Sequence, residues 1–369
     1  MNESRECSVT TRALVDASDL FFPPTPIPRP GDRVVWYQES LRIGGVLVGH
    51  SPWAKPIVRD DFDGFAVVDS YDKLRRENPR VEGGPNWNRM PPSAAILRPT
   101  EEELRALQVL LDQRTPPGPK YLELVTEIWA RGHEIYVVGG TVRDVIARKE
   151  TKDVDLATTM PLDHLFPLVQ SMYRRPKKLE WEARVNGHLR LGGALGTDDP
   201  FIDLCVFKHS KPGTDQAVFA DDFARDMAHR DFACNSIYFD PITSVLIDPS
   251  GYGVVDAESC RLRMVCNHSM RSPFHLGQII IRFFKFRCRG FSPISECTEK
   301  VSTCIESSLQ AMSIVQRISY TRTQILSKYA KEEHTGRLDQ FREEIISFGA
   351  EQIWDRYFAP HREEILNGN

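Results

Sequence analysis

The stretch "YVVGGTVRDVIARKETKDVDLATT", Tyr136 to Thr159, limits what this chain can fold into more than any other. Ile135 to Val138 is apolar and rich in β-branched residues, and Gly139-Gly140 bounds it, so it reads as a buried strand. Val142 to Ala147 reads as one or two helical turns, and Asp153-Val154-Asp155-Leu156-Ala157 alternates like a second strand. Residues two apart on a strand point to the same face, so Asp153 and Asp155 project side by side. Paired acids therefore stand beside a glycine turn whose backbone N–H groups are open to close approach.

At 369 residues the chain is too long for one ordinary core, and two or three domains are expected. Its 27% charged and 41% hydrophobic residues are the balance of a globular protein, not a disordered one. A net charge of −4 requires any nucleic-acid partner to be met by a local patch. No apolar run approaches a membrane span, and Met1 to Glu6 lacks the apolar segment of a signal peptide. Eight cysteines without a C-x-x-C pair read as scattered reduced thiols. The expectation is a cytoplasmic protein without a membrane partner, an organellar location staying open.

Residues 1–30 read as a loose, proline-rich lead-in, and 31–118 as an accessory region whose short apolar runs between glycines suggest a small β-rich unit. Trp36, Tyr37, Trp53 and Trp87 read as core packing, the alternative being a base-stacking surface. Thr100 to Glu103 has the pattern of a capping box, opening a helix. A second helix, Tyr121 to Arg131, leads into the first strand, and Leu162 to Tyr173 follows the Asp-x-Asp strand. From Pro273 the signals are helical: Phe274 to Arg289, Ser295 to Met312, Thr321 to Lys331 and Arg337 to Phe358. The division is a mixed unit at 119–268 and helices at 269–369, an α+β chain.

A third acid strengthens the chemical reading. Asp203 in "FIDLCVF" is flanked by apolar residues on an expected neighbouring strand, a costly place unless it is paired or bound to metal. Three carboxylates without histidine or cysteine suit Mg²⁺, which supports phosphoryl or nucleotidyl transfer. Gly139-Gly140 and the following helix N-terminus suit a phosphate chain.

"GGTVRD", eight residues, "DVD" and then "LAT" resemble the signature of class II CCA-adding enzymes and bacterial poly(A) polymerases, in the polymerase-β-like nucleotidyltransferase superfamily. "GHLRLGGALGTDDPFIDLCVFK" is similar to that family's strand pair, with Asp203 where Glu is usual and Lys208 where Arg is usual. "DMAHRDFACNSIYFDPITSVLIDPSGYGVVDAESCRLRMV" resembles its second block, and "RFFKFRCRGF" its neck helix. The resemblance spans roughly Tyr121 to Gly290, with Arg322 in "ISYTRTQILSKY" matching a neck arginine. It implies a nucleotidyltransferase head followed by a helical neck and body.

By that resemblance Asp153 and Asp155 hold Mg²⁺ and, with Asp203, form the catalytic set. Gly139, Gly140 and Arg143 receive the triphosphate, while Asp144, Arg230, Asp231, His275 and Arg322 complete the nucleotide site. Arg230 and Asp231 read alternatively as a structural ion pair, and Asn235 and Asp248 as turn and cap residues. Arg282, Lys285, Arg287 and Arg289 are the expected RNA-binding cations.

The chain also departs from the family. The base-reading Glu-Asp-x-x-Arg is replaced by Arg271-Ser272-Pro273-Phe274-His275, and His229 replaces the first arginine of Arg-Arg-Asp. About 80 residues follow Gly290, fewer than the family's tRNA-gripping body. The expected function is template-independent transfer of a nucleotide, with ATP first in line, from a nucleoside triphosphate to an RNA 3′ end such as that of tRNA, by two-metal-ion catalysis with release of pyrophosphate. A regulatory RNA-binding relative, or transfer to a non-RNA acceptor, stays open.

Overall fold

A computed structural model describes residues 12–15, 33–38, 41–50, 55–60, 64–69, 74–76, 90–114, 119–131, 133–151, 154–172, 187–191, 202–210, 217–220, 222–266 and 272–368. Among these no helix is long and apolar enough to cross a membrane.

Strand alternation gives the central sheet two different faces. Its seven strands are β6 (Ala95–Leu97), β7 (Ile135–Val138), β8 (Val154–Thr158), β9 (His188–Leu191), β10 (Ile202–Val206), β13 (Tyr238–Asp240) and β14 (Val245–Asp248). They run in the order β6-β14-β13-β7-β8-β10-β9, and only β8 and β10 are parallel neighbours. Such a pair needs a crossover, and the helix Leu162–Met172 lies in the connecting chain. Val137, Leu156, Leu204, Phe239 and Leu246 point to one face and join the main core with the helices Glu101–Asp112, Tyr121–Ala130, Gly139–Ile146 and Leu162–Met172. Tyr136, Val138, Ala157 and Tyr238 point the other way, into a smaller core completed by Phe207 and Phe223. Four rings of that core, Tyr136, Phe207, Phe223 and Tyr238, stack tilted or edge-on with centroids 5.0 to 5.9 Å apart.

The head takes in more chain than the 118/119 division allows. β6 pairs with β14, Leu246 opposite Leu97. Leu107, Leu110 and Leu111 of the helix Glu101–Asp112 are buried in the main core. That helix starts with the expected capping box, Thr100 accepting from the Glu103 N–H while the Glu103 carboxylate accepts from Thr100 N. The segment Ala13 to Val15 bridges the outer edge of β6, with Val15 N donating to Ile96 O and Arg98 N to Ala13 O, both at 3.0 Å. Arg12 anchors it between Glu103 and Glu258.

The accessory region does contain strands. β1 (Arg33–Gln38), β2 (Leu41–His50), β3 (Pro56–Asp60), β4 (Phe65–Val67) and β5 (Arg75–Arg76) form an antiparallel sheet in the order β4-β3-β2-β1-β5. Its own core holds Val34, Trp36, Leu47, Val58, Val68 and Leu74, so Trp36 packs inside. Trp53, Trp87 and the Tyr37 side chain lie outside the described residues.

From residue 273 the α-helices are Pro273–Cys288 (the neck), Ser295–Gln310, Ile314–Ile325, His334–Ser347, Glu351–Tyr357 and Arg362–Asn367. The third starts seven residues before the expected Thr321, at a Ser313–Gln316 capping box. The single helix expected from Arg337 to Phe358 is two, because Gly349 takes φ +82° and ends the first. The bend lets Phe341, Trp354 and Phe358 close on one another.

The head boundary is testable at one residue. Leu107→Ala costs the head about 2–5 kcal/mol, seen as faster amide exchange at Val137 and Leu246, whereas Trp36→Ala leaves those amides unchanged. Equal exchange in Leu107→Ala and the parent chain contradicts this boundary.

Candidate functional site

Asp155 sits between Val154 and Leu156, both committed to the main core, so its side chain turns to the smaller face with Ala157. Asp203 is its register partner on the parallel strand β10, and both acids therefore leave the sheet on the same side. Gly139 follows β7 at φ +64°, and a Cβ there would stand 3.1 Å from Asp155 Oδ2. The positive φ thus calls for glycine, and a Cβ would press on the Asp155 carboxylate. Gly140 N donates to Asp155 Oδ2 at 3.1 Å, and Asp155 N donates to Thr141 Oγ1 at 2.9 Å. Asp153 lies outside the described residues. Among those described, no group of three or more His, Cys, Asp or Glu side chains is gathered as a metal cage. The two acids in register offer only oxygen donors, which fits a hard divalent cation.

Behind the glycine turn, Arg143 and Asp144 are buried on the short helix Gly139–Ile146. Arg143 Nε and Nη2 each donate to Asp144 at 2.8 Å, its Nη1 donates to Asn235 Oδ1, and its guanidinium lies 4.9 Å from the Phe286 ring centre. Asn235 Nδ2 in turn donates to Asp231 Oδ1 at 2.8 Å. Asp231 Oδ2 accepts from Arg282 Nε of the neck at 2.6 Å, and Asp144 accepts from Arg289 Nη2 at 3.2 Å. Burial pushes the Asp231 carboxyl up, but Arg282, Asn235 and the Phe232 N–H outweigh it and hold it below the usual range. Arg143, Asp144 and Asp231, expected at the nucleotide, also form the joint between head and neck.

Arg230 belongs to a separate knot. Its Nε donates to Asp226 Oδ2 at 2.9 Å and to the Tyr238 hydroxyl at 3.0 Å, and it lies over the Tyr238 ring. Burial alone would lower its pKa; Asp226 raises it above the ordinary arginine value. Arg230 thus pairs with Asp226 and not with Asp231, whose partner is Arg282. Asp248 serves its turn, accepting from Ser250 N, Ser250 Oγ and Gly251 N on one oxygen and from Val254 N on the other.

The four cations expected to face RNA do not share one surface. Arg282 and Arg289 turn to the head acids, and Lys285 donates to Gln324 Oε1 at 2.8 Å. Arg287 turns to the body, donating to Glu344 Oε2 and Ser347 Oγ, each at 2.9 Å. Helical periodicity separates position 287 from 282, 285 and 289. Arg322 also departs from expectation: its guanidinium packs against Gly368, at the end of the helix Arg362–Asn367, and not with the head acids. His275 occupies the first turn of the neck, edge-on to Phe274 and 3.4 Å from Ser272 Oγ. Tyr320 and Gln324, partners of Arg282 and Lys285, carry no sequence signal that would single them out.

The joint has a measurable strength. A double-mutant cycle of Asp231→Asn and Arg282→Met gives about 1–3 kcal/mol of coupling in urea unfolding at pH 7. A carboxyl held low contributes stability above its unfolded value of 3.8, lost as pH falls through the folded one. The coupling therefore fades below pH 3.8. A coupling near zero at pH 7 contradicts the joint.

Comparison with known proteins bears on the same segment. The family profile "Poly A polymerase head domain" matches residues 135–263. Poly(A) polymerase I of Haemophilus influenzae is 26% identical over 158 residues, 39% of this chain and 32% of that protein. A CCA-adding enzyme of Streptococcus pyogenes serotype M3 is 29% identical over 151 residues, 40% of this chain and 34% of that protein. The chain thus matches about a third of the length of each of these curated relatives. The solved Bacillus stearothermophilus CCA-adding enzyme in complex with CTP aligns with a TM-score of 0.47 at 16% identity, over 66% of this chain and 55% of that one, a likeness too loose to carry an argument. Residues 135–263 thus match the poly(A) polymerase head domain, and over that segment the chain is similar to CCA-adding enzymes and poly(A) polymerases.

Proposed function

We propose that the protein is a nucleotidyltransferase that moves a nucleotide from a nucleoside triphosphate to an RNA 3′ end, tRNA being the first candidate. The observation that carries this is the register of Asp155 with Asp203 beside the Gly139-Gly140 turn. The names of the relatives, CCA-adding enzyme and poly(A) polymerase, support the same reaction class.

In this reading the 3′-hydroxyl oxygen of the acceptor attacks the α-phosphorus, the bond to the bridging oxygen breaks, and pyrophosphate leaves. The reaction frees one proton, and Asp203 is the carboxylate assigned to accept it. Asp155 and Asp153 are assigned to hold a divalent cation, Mg²⁺ first, which when bound supplies charge neutralisation at the phosphates. Gly140 keeps its N–H beside Asp155 and leaves room for a phosphate oxygen that any Cβ would crowd. Base selection has no acid–arginine pair at the head of the neck, where Ser272 and His275 stand. One nucleotide, ATP first, is then selected through shape and stacking instead of ordered C-C-A addition.

A second reading, a regulatory RNA-binding relative, draws on the internal engagement of Arg143, Arg230 and Asp231. Incubation with Mg²⁺, each labelled triphosphate and small RNAs separates the two. The expected outcome is extension by one preferred nucleotide, absent in Asp155→Ala and lowered about 10²–10⁴-fold in Asp203→Asn. Transfer that survives Asp155→Ala contradicts the acid assignment, and RNA binding without any extension favours the regulatory reading.

A tRNA lacking its 3′ end, supplied with CTP and ATP together and then sequenced, tests base choice. Homopolymeric or mixed tails are expected. Faithful C-C-A ends show that other residues rebuild the template.

A further inference from the structure

The accessory sheet commits one face to its core, with Val34 and Trp36 of β1, Leu47 of β2 and Val58 of β3 buried there. The alternate strand positions belong to the opposite face. Register carries one row of them across four strands. Phe65 of β4 stands opposite Arg59 of β3, Arg59 opposite Val46 of β2, and Val46 opposite Arg33 of β1. Val67 pairs with Ile57 on the same face. Further along β1, Val35 is in register with Arg75 of β5 and Tyr37 with Arg42 of β2. Arginine thus holds positions 33, 42, 59 and 75 of this face, and no Asp or Glu stands at its paired positions.

The described side chains of the face meet solvent. Phe65 is 71% exposed and Val67 58%, and Arg59 is exposed without an ion pair among the described residues. Single exposed apolar residues are ordinary, but an aromatic ring beside an unpaired cation in a row of one sign is a combination with a use. A second copy of the same face would set arginine against arginine, which argues against self-association. A polyanion with flat apolar faces complements both features, because any base offers a π-face to the ring and its phosphates offer charge to the arginines.

We propose that the outer face of the β1–β5 sheet binds a single-stranded segment of RNA, with Phe65 stacking on a base and Arg59 meeting a phosphate. The arginine positions 33, 42 and 75 add positive charge to the face. It is the kind of local patch that a chain of net charge −4 needs for a nucleic-acid partner. The strand must be single, since a duplex hides the faces of its bases. The row from Phe65 to Arg33 crosses three strand spacings, about 14 Å, and a four-stranded sheet of that width holds about two or three bases. The choice of RNA rests on the nucleotidyltransferase reading; the nucleic-acid character rests on the face. The neck cations Arg282, Lys285, Arg287 and Arg289 turn to internal partners, so this face supplies RNA contact from another part of the chain.

Fluorescence anisotropy of the full chain with a labelled single-stranded RNA of about 10 nucleotides, and with the same strand in a duplex, tests the face. The single strand is expected to bind more tightly. Phe65→Ala and Phe65→Leu are each expected to weaken it about 10-fold, while Phe65→Trp keeps the affinity, because leucine retains apolar area but no stacking ring. Arg59→Gln lowers the slope of log affinity against log salt by about 0.7. Both side chains are exposed, so these variants melt as the parent does. Affinity indifferent to Phe65 and Arg59, leucine serving as well as phenylalanine, or a preference for the duplex overturns the proposal. Sedimentation that changes in Phe65→Ala while RNA affinity does not also overturns it and makes the face a contact between copies. A chain that binds the single strand through Phe65 but extends no RNA keeps the face and refutes the transferase reading. A transferase whose RNA affinity ignores Phe65 refutes only the face.

Discussion

The carboxylate of Asp231 is buried in the head, and Arg282 of the neck meets it at 2.6 Å. A buried charge of this kind tolerates no vacancy opposite it, because a lone carboxylate in a dry interior costs several kcal/mol. The same carboxylate accepts from Asn235, which also holds Arg143, which in turn grips Asp144, the acid that Arg289 reaches from the other end of the neck. Head and neck are thus tied at two points a helical turn or two apart, and the aromatic ring of Phe286 fills the space between them. The neck cannot slide or roll by one residue without stranding an ion in the interior.

That constraint sets the stage for the acids on the sheet. The main core occupies the helix-covered face, so the smaller face is where Asp155 and Asp203 emerge in register. The four packed rings behind them stiffen that face, and the Arg230–Asp226–Tyr238 knot closes its far side. The glycine turn brings two backbone units against Asp155 from above. The outcome is a pair of carboxylates on rigid strands next to backbone donors, with a positively charged joint behind the turn.

Positive charge at the joint exceeds what folding requires. Two carboxylates would satisfy two of the cations, yet Arg143, Arg282, Lys285 and Arg289 all crowd the same ring or its neighbour.

The local stretch Ile135 to Thr159 determined its own strand, turn, short helix and strand, because β-branched runs, a glycine pair and alternating acids specify backbone geometry over a few residues. Capping at Thr100 was legible for the same reason, and the head was legible from its motif spacing. Partnership across the chain was not. That Leu97 pairs with Leu246, that Arg143 turns inward to Asp144 and Asn235, and that Arg282 and Arg289 face the head while Arg287 faces the body depend on which surfaces meet. The sequence shows that a charge exists; only the packed structure decides which opposite charge, ring or empty space it confronts, because electrostatic energy depends on distance and burial rather than on order along the chain.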